Sequence, residues 1–381
     1  MKPVYLDHNA TTPLDESVLA VMLPFMREQY GNASSRHEFG TLTRAAVERA
    51  REQVAALVGA RPAQVVFTSG GTESNNAFIK GAAGMLRPSQ ILISSIEHPC
   101  VAKPAAELAR AGWKLRKLAT EPDGRSSLAD ATQALQEPTG IVSVMLANNE
   151  TGVIQEVAAI GESARAVGAW MHTDAVQALG KIEIDFAALN VHAMTLSAHK
   201  IYGPKGVGAL VLDKRIELKP LLSGGGHEQG LRSGTENVAG IAGFGAACEL
   251  AASRRRELAA QSAALRDQLE RGLSVIGATV FGAAAPRISN TSYFAVDGID
   301  GETLVVELDK AGYAVASGAA CSSTSTEPSA TLLAMGVAPA LARGAVRVSV
   351  GAANTALQIE SFLGALAATV ARLAQLTAIA V

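Results

Sequence analysis

Seven short apolar runs, each separated from the next by a longer connection, constrain this sequence more than anything else in it. They are QVVF (64–67), ILISS (91–95), WKLRKL (113–118), IVSVML (141–146), AWMH (169–172), HAMTLS (192–197) and GALVLD (208–213). Most are apolar throughout and too short for helices, so they read as strands covered on both faces. Helix-length connections between such strands belong to parallel crossover units. One connection shows the helical period openly. In 41–58, Leu42, Ala46, Val47, Ala50, Val54, Leu57 and Val58 share a face, and Gly59 and Pro62 end the helix. The expected fold is α/β, with a three-layer α/β/α domain built on a mainly parallel seven-stranded sheet. A long Ala/Arg/Glu-rich helical region at about 236–272 then leads to a smaller α+β domain. There RISNTSYF (287–294) and AVRVSV (345–350) are strand-like, while 301–311, 329–336 and 354–375 are helical. Sheets of this kind bind ligands beyond the carboxyl ends of their strands.

Charge and cysteine usage narrow the function. The 33 basic and 35 acidic residues leave a net charge of −2, which argues against nucleic-acid or membrane binding by bulk positive charge. Cys100, Cys248 and Cys321 are too few and too scattered for a disulfide framework or an all-cysteine metal site. MKPVYLDHNATTP has no apolar core of a signal peptide, and no apolar stretch of membrane-spanning length stands out. The expectation is a soluble cytoplasmic protein.

Three features carry chemistry at three separate strand ends. After 64–67 comes Thr68-Ser69-Gly70-Gly71-Thr72-Glu73-Ser74-Asn75-Asn76, where glycines and the start of a helix could receive a phosphate. An ordinary turn with a helix cap reads the same way. After 169–172 comes Asp174, able to hold a proton on a pyridine nitrogen or to cap a helix. After 192–197 comes Ser197-Ala198-His199-Lys200, whose lysine could be desolvated for Schiff-base chemistry or could be a surface residue in a turn. An anion loop, an acid and a lysine on three strand ends of one sheet suit an electron-sink cofactor better than any of them does alone.

With these landmarks in place the chain resembles a cysteine desulfurase of the NifS/IscS type, in the class V aminotransferase group of fold-type I pyridoxal-phosphate enzymes. The resemblance runs from YLDHNATTP (5–13) to RVSVG (347–351), through GNASSRHEFG, FTSGGTESNN, EHP, ANNETGV, HTDAVQALGK, SAHKIYGPKGVG, GGGHEQGLRSGTENV and ASGAACSSTSTEPS. It implies a large cofactor-binding domain at 14–257, and a small domain of 1–13 and 258–381 carrying a cysteine loop at about 317–328. It implies that Lys200 carries pyridoxal 5'-phosphate, that Gly71, Thr72, Ser197 and His199 hold it, and that Thr235 reaches in from the partner of a homodimer. Asp174 would pair with the pyridine nitrogen, Gln177 with the ring oxygen, and His98 would stack on the ring and move protons. Asn149 is implied in holding cofactor and substrate, and Arg347 in binding the substrate carboxylate.

Cys321 decides the reaction. Alone in a Gly/Ser/Thr-rich stretch it could be an inert thiol; by resemblance it takes sulfur from L-cysteine and passes it to an acceptor. That acceptor would be a U-type iron–sulfur scaffold, which could share a nascent cluster with Cys321, or another protein in a thiolation pathway. Cys100 and Cys248, in alanine-rich helical context, read as structural. Selenocysteine lyase, another class V enzyme or a non-catalytic cofactor-binding scaffold are the alternatives on this fold. Three positions depart from the family pattern: Ala33, His8 and Ala352.

Overall fold

All seven runs become strands of one sheet in the computed structural model, which describes residues 3–318 and 327–379. Across the sheet the order is Val65–Thr68, Gly208–Leu212, Ala193–Ser197, Trp170–Asp174, Thr139–Ser143, Gln90–Ser94 and Lys114–Leu118. Only Gly208–Leu212 runs against its neighbours. Its physical reason is the short link 198–207, which cannot make the crossover a parallel return requires. Lys114–Leu118, at the sheet edge, is the most exposed of the seven and carries its lysines and arginine there.

Alternate side chains feed two cores. Val65, Phe67, Leu92, Val142, Met171 and Met194 point to one face, where the helices Glu38–Leu57 and Val157–Ala166 and the first half of Val238–Val275 pack. Val66, Ile91, Ile93, Ile141 and Leu210 point to the other, under Gly71–Ala83 and Pro99–Arg110. Period-two alternation buried on both sides produces the continuous apolar runs of the sequence.

The helix Val238–Val275 has 38 residues, about 57 Å of axis. Ile241, Phe244, Ala247 and Cys248 lie in the first core, while Leu265, Leu269 and Leu273 lie in a separate one. That second core holds Leu304, Leu308, Phe294, Val346, Val348, Ile359, Phe362 and Leu366. Beside it is an antiparallel sheet in the order Ala316–Ser317, Val346–Ser349, Thr291–Ala295, Thr279–Val280. The N-terminal segment joins this half: Val4–Tyr5 pairs parallel with Tyr313–Ala314, and Asp7 bridges to Ser349.

One expectation is corrected. Within the helix Ala356–Ile379, the segment Ala356–Gln375 is long and apolar enough, by length and composition, to cross a membrane. Its hydropathy comes largely from small residues, broken by only Glu360 and Arg372. Ile359, Phe362 and Leu366 are fully buried against the second core.

The loop after Leu222 is pinned by a buried ion pair. Arg51 forks onto Glu228, with both N···O distances at 2.8 Å, and also donates to the carbonyl of Val65 at 2.8 Å. Glu228 in turn accepts the Phe67 N–H at 2.7 Å, so the loop is tied to the first strand of the sheet.

Candidate active site

Because Val65–Thr68, Gln90–Ser94, Thr139–Ser143, Trp170–Asp174 and Ala193–Ser197 run the same way, their carboxyl ends open on one edge. The chain leaving those ends carries, respectively, Gly71, His98, Asn149, Gln177 and Lys200. A cavity of ≈ 460 Å³ collects His98, Asn149, Asp174, Gln177, Ser197, His199, Lys200, Gly71, Thr72 and Arg347. Every site residue expected from the sequence lines it except two. Thr235 lies exposed outside it. Cys321, with the cluster contact expected there, lies outside the described residues. Among the described residues no group of three or more His, Cys, Asp or Glu side chains is arranged to hold a metal.

A second cavity of ≈ 400 Å³ shares Ala10, Gly71, Thr72, Ser197 and His199 with the first and adds Ser69, Gly70 and Lys205. It sits at the start of the helix Gly71–Ala83, whose N-cap Gly70 has φ +149° and no capping side chain. A Cβ added at Gly71 would stand 2.9 Å from Val176 Cγ2. Such a helix start, with hydroxyls and a lysine around it, suits an anion. His199 faces it as a neutral ring, because burial and the charges of Lys200 and Lys205 lower its pKa to about 4. Anion cradle, acid and amine together fit pyridoxal phosphate: Gly71 and its neighbours for the phosphate, Asp174 for the ring nitrogen, Lys200 for the aldehyde.

Asp174, at the end of its strand, accepts the Val176 N–H at 2.9 Å and the Asn75 amide at 2.7 Å. His98 caps the helix Pro99–Arg110, its Nδ1 accepting the Cys100 N–H at 3.2 Å. Burial is the largest influence on His98 and lowers its pKa; Asp174 opposes the shift and Lys200 adds to it. Cys100 is corrected from a structural residue to one that lines the cavity. Cys248 does lie in the core, where burial raises its thiol pKa.

The floor is an N-terminal strap. Lys200 Nζ donates to the carbonyls of Asn9 and Ala10, the latter at 2.7 Å. Asn9 also accepts from Gln177 Nε2 at 3.0 Å and, through Oδ1, from Lys181 Nζ at 3.0 Å; its own amide donates to Asn149 O and Thr291 Oγ1. Lys181 donates to Gln177 Oε1 at 2.9 Å as well, which aims the amide nitrogen of Gln177. Burial, then the charges of Lys200 and Arg347, hold the Lys181 amine well below its ordinary pKa. Arg347 donates to Asp7 at 2.7 Å and to Asn149 O at 3.0 Å, and its buried Nε has no hydrogen-bond partner. Asn9, Asn75, Glu97 and Lys181 had no role in the sequence reading, although each sits inside a landmark motif. The departures His8 and Ala352 meet beside the strap, lining a small cavity of ≈ 80 Å³ with Lys181 and Lys200.

Glu97 makes a pH prediction. Its Oε1 accepts from Met145 N at 2.6 Å and Ser94 Oγ at 2.9 Å, while Oε2 is buried without a partner. Burial, and secondarily the charge of Asp174, raises its pKa from 4.5 to about 8. Stability from the neutral carboxyl is therefore complete below pH 4.5 and lost as pH rises to 8, a span worth about 5 kcal/mol at most. Glu97→Gln keeps the acceptor and cannot ionise. It is expected to melt near wild type at about pH 5, then above it by a margin of roughly a few degrees that opens up to about pH 8 and stays level beyond. A margin that does not change with pH would show that Glu97 is ionised in the native protein.

Comparison with known proteins places the chain. The family described as aminotransferase class-V matches residues 4–362. A cysteine desulfurase of Bradyrhizobium diazoefficiens is 43% identical over 374 residues, 97% of this chain and 95% of that protein. Cysteine desulfurase IscS of Anaeromyxobacter dehalogenans is 44% identical over 365 residues, 94% of this chain and 90% of that one. A solved NifS-like protein superposes with a TM-score of 0.91 at 36% identity, covering 97% of this chain and 99% of its own. The chain belongs to the class-V aminotransferase family, in its cysteine desulfurase branch.

Proposed function

We propose that this protein is a pyridoxal-phosphate-dependent cysteine desulfurase that converts L-cysteine to L-alanine and leaves the sulfur as a persulfide on Cys321. The observation that carries the reading is the meeting of Lys200, Asp174, His98 and Arg347 around one cavity at one sheet edge. When bound, pyridoxal phosphate supplies an electron sink for the charge left at the substrate Cα. Gly71, Thr72, Ser197 and His199 would hold the cofactor and its phosphate, with Thr235 of a second subunit completing the cradle. Asp174 keeps a proton at the ring nitrogen, Gln177 donates to the ring oxygen, and Asn149 borders cofactor and substrate.

Arg347 exchanges part of its hold on Asp7 for the substrate carboxylate, a match for its planar fork. The Lys200 amine takes the Cα proton and returns one to carbon. His98 exchanges protons at the substrate sulfur and amine, a task suited to a ring that burial keeps neutral. Cys321 attacks the substrate sulfur as thiolate. Its electron pair forms the S–S bond, the C–S pair stays with carbon, and carbon takes up a proton on the way to L-alanine. The persulfide then passes to an acceptor protein, such as a U-type iron–sulfur scaffold. We assign the active form to a homodimer and its place of work to the cytoplasm, where cysteines such as Cys100 and Cys248 stay as free thiols.

The test is product balance. Cofactor-loaded protein given L-cysteine and a thiol reductant should release alanine and sulfide in equal amounts. Without reductant it should make one alanine per Cys321 and stop. Pyruvate with ammonia, or amino-group transfer to a keto acid, would overturn the reading.

A further inference from the structure

A line of four side chains, three of which line the cavity, runs from Asp174 to His98. The Asn75 amide nitrogen donates one hydrogen to Asp174 Oδ2 at 2.7 Å and the other to Cys100 Sγ at 3.0 Å. Cys100 Sγ lies 2.8 Å from His98 Nδ1, and the Cys100 N–H is directed at the same nitrogen from 3.2 Å. A backbone N–H can only donate, so Nδ1 carries no hydrogen. The sulfur, already accepting from Asn75, must therefore donate its own hydrogen to Nδ1.

We propose that Cys100 is a positioning residue: its backbone N–H and its Asn75-held thiol both donate to Nδ1, which keeps His98 neutral with its hydrogen on Nε2 and ties that ring to Asp174. The inference rests on the proposed role of His98 in the desulfurase reaction, and it names the device that sets which nitrogen of His98 works. Adding a proton at Nδ1 would set it against the backbone N–H and displace the thiol hydrogen, so these contacts oppose the imidazolium. Burial, with Asp174 and Glu97 nearby, raises the Cys100 thiol to about 12, so it serves as a neutral donor and not as a second sulfur acceptor. The groups that bear on the His98–Cys100 pair are Asp174 from the strand Trp170–Asp174, Lys200 from the turn after Ala193–Ser197, Glu97 beside His98, and Thr72 and Asn75 from the helix Gly71–Ala83.

The experiment uses the full-length, cofactor-loaded protein with ¹⁵N-labelled histidine, as wild type, Cys100→Ser and Cys100→Ala. Wild type should show a His98 ring with Nε2 protonated and Nδ1 bare. The serine variant should keep that pattern and the pH profile of sulfide release within twofold. The alanine variant keeps the backbone N–H, and so the same neutral tautomer, but its ring should take up a second proton at higher pH, moving the acid limb of the kcat profile up and costing roughly tenfold in kcat on that limb. Its KM and cofactor content should stay as in wild type. An alanine variant whose ring titration and pH profile match wild type would overturn the proposal, as would a wild-type ring protonated on Nδ1 or a serine variant that fails as badly as alanine. The ring pattern is read without turnover. A wild type that released no sulfide would therefore sink the desulfurase reading while leaving the tautomer assignment to stand or fall on its own spectrum.

Discussion

Lys200→Ala is expected to cut desulfurase turnover by about 10³-fold or more while leaving the fold intact. The amine lies just past the strand Ala193–Ser197, lines the cavity with Asp174 and His98, and is held by the Asn9 and Ala10 carbonyls. Among the described residues that line this cavity, no other side chain carries an amine. Losing the lysine leaves the Ala10 carbonyl short of a donor while the Asn9 carbonyl keeps the Gln177 amide, a cost of about 1–3 kcal/mol that a protein of this size should survive. Three measurements check the prediction: sulfide release, the yellow absorbance of the loaded enzyme, and the label that borohydride fixes on residue 200. A variant that still held cofactor covalently, or kept more than a tenth of wild-type turnover, would show that the attachment is elsewhere.

Cys321→Ala should separate binding from sulfur capture just as sharply. Cofactor content, absorbance and the spectral response to L-cysteine should match wild type, because none of the described cavity residues is touched. Alanine and sulfide should both fall by roughly 10³-fold, and mass spectrometry should find no added sulfur atom on the protein. The chain on either side is well anchored. Ala316 lies in register opposite Arg347, and Ser329 and Thr331 both donate to Glu150. Sulfide release unchanged in this variant would leave the substrate sulfur with a different acceptor.

The sheet was legible in the sequence because strands buried on both faces are apolar along most of their length, a demand that most of the seven runs met and the exposed edge run WKLRKL did not. The antiparallel member was hidden, since direction depends on the length of a link and not on the strand's own composition. Two-residue strands such as Val4–Tyr5 and Ala316–Ser317 have no period to detect. At the site, Asp174, Lys200 and His98 could be read because each follows a recognisable strand. Cys100 was misplaced for an instructive reason. The helical context was right, but the residue stands in the first turn of Pro99–Arg110, where a side chain faces the sheet edge and not the core. Glu97 and Lys181 look in sequence like charged surface residues. Only the surrounding tertiary packing encloses their ionisable ends.

The strap that floors the cavity has a consequence for biosynthesis. Asp7 meets Arg347, and Leu6 and His8 exchange backbone hydrogen bonds with Ser349, so these partners are separated by about 340 residues of chain. On the ribosome the leading segment must wait for some 340 further residues before its partners emerge, whereas the seven-stranded sheet can assemble earlier. The catalytic pocket is thus a late part of the molecule to mature, and nascent chains should become competent to load cofactor only once Arg347 and Ser349 have cleared the exit tunnel.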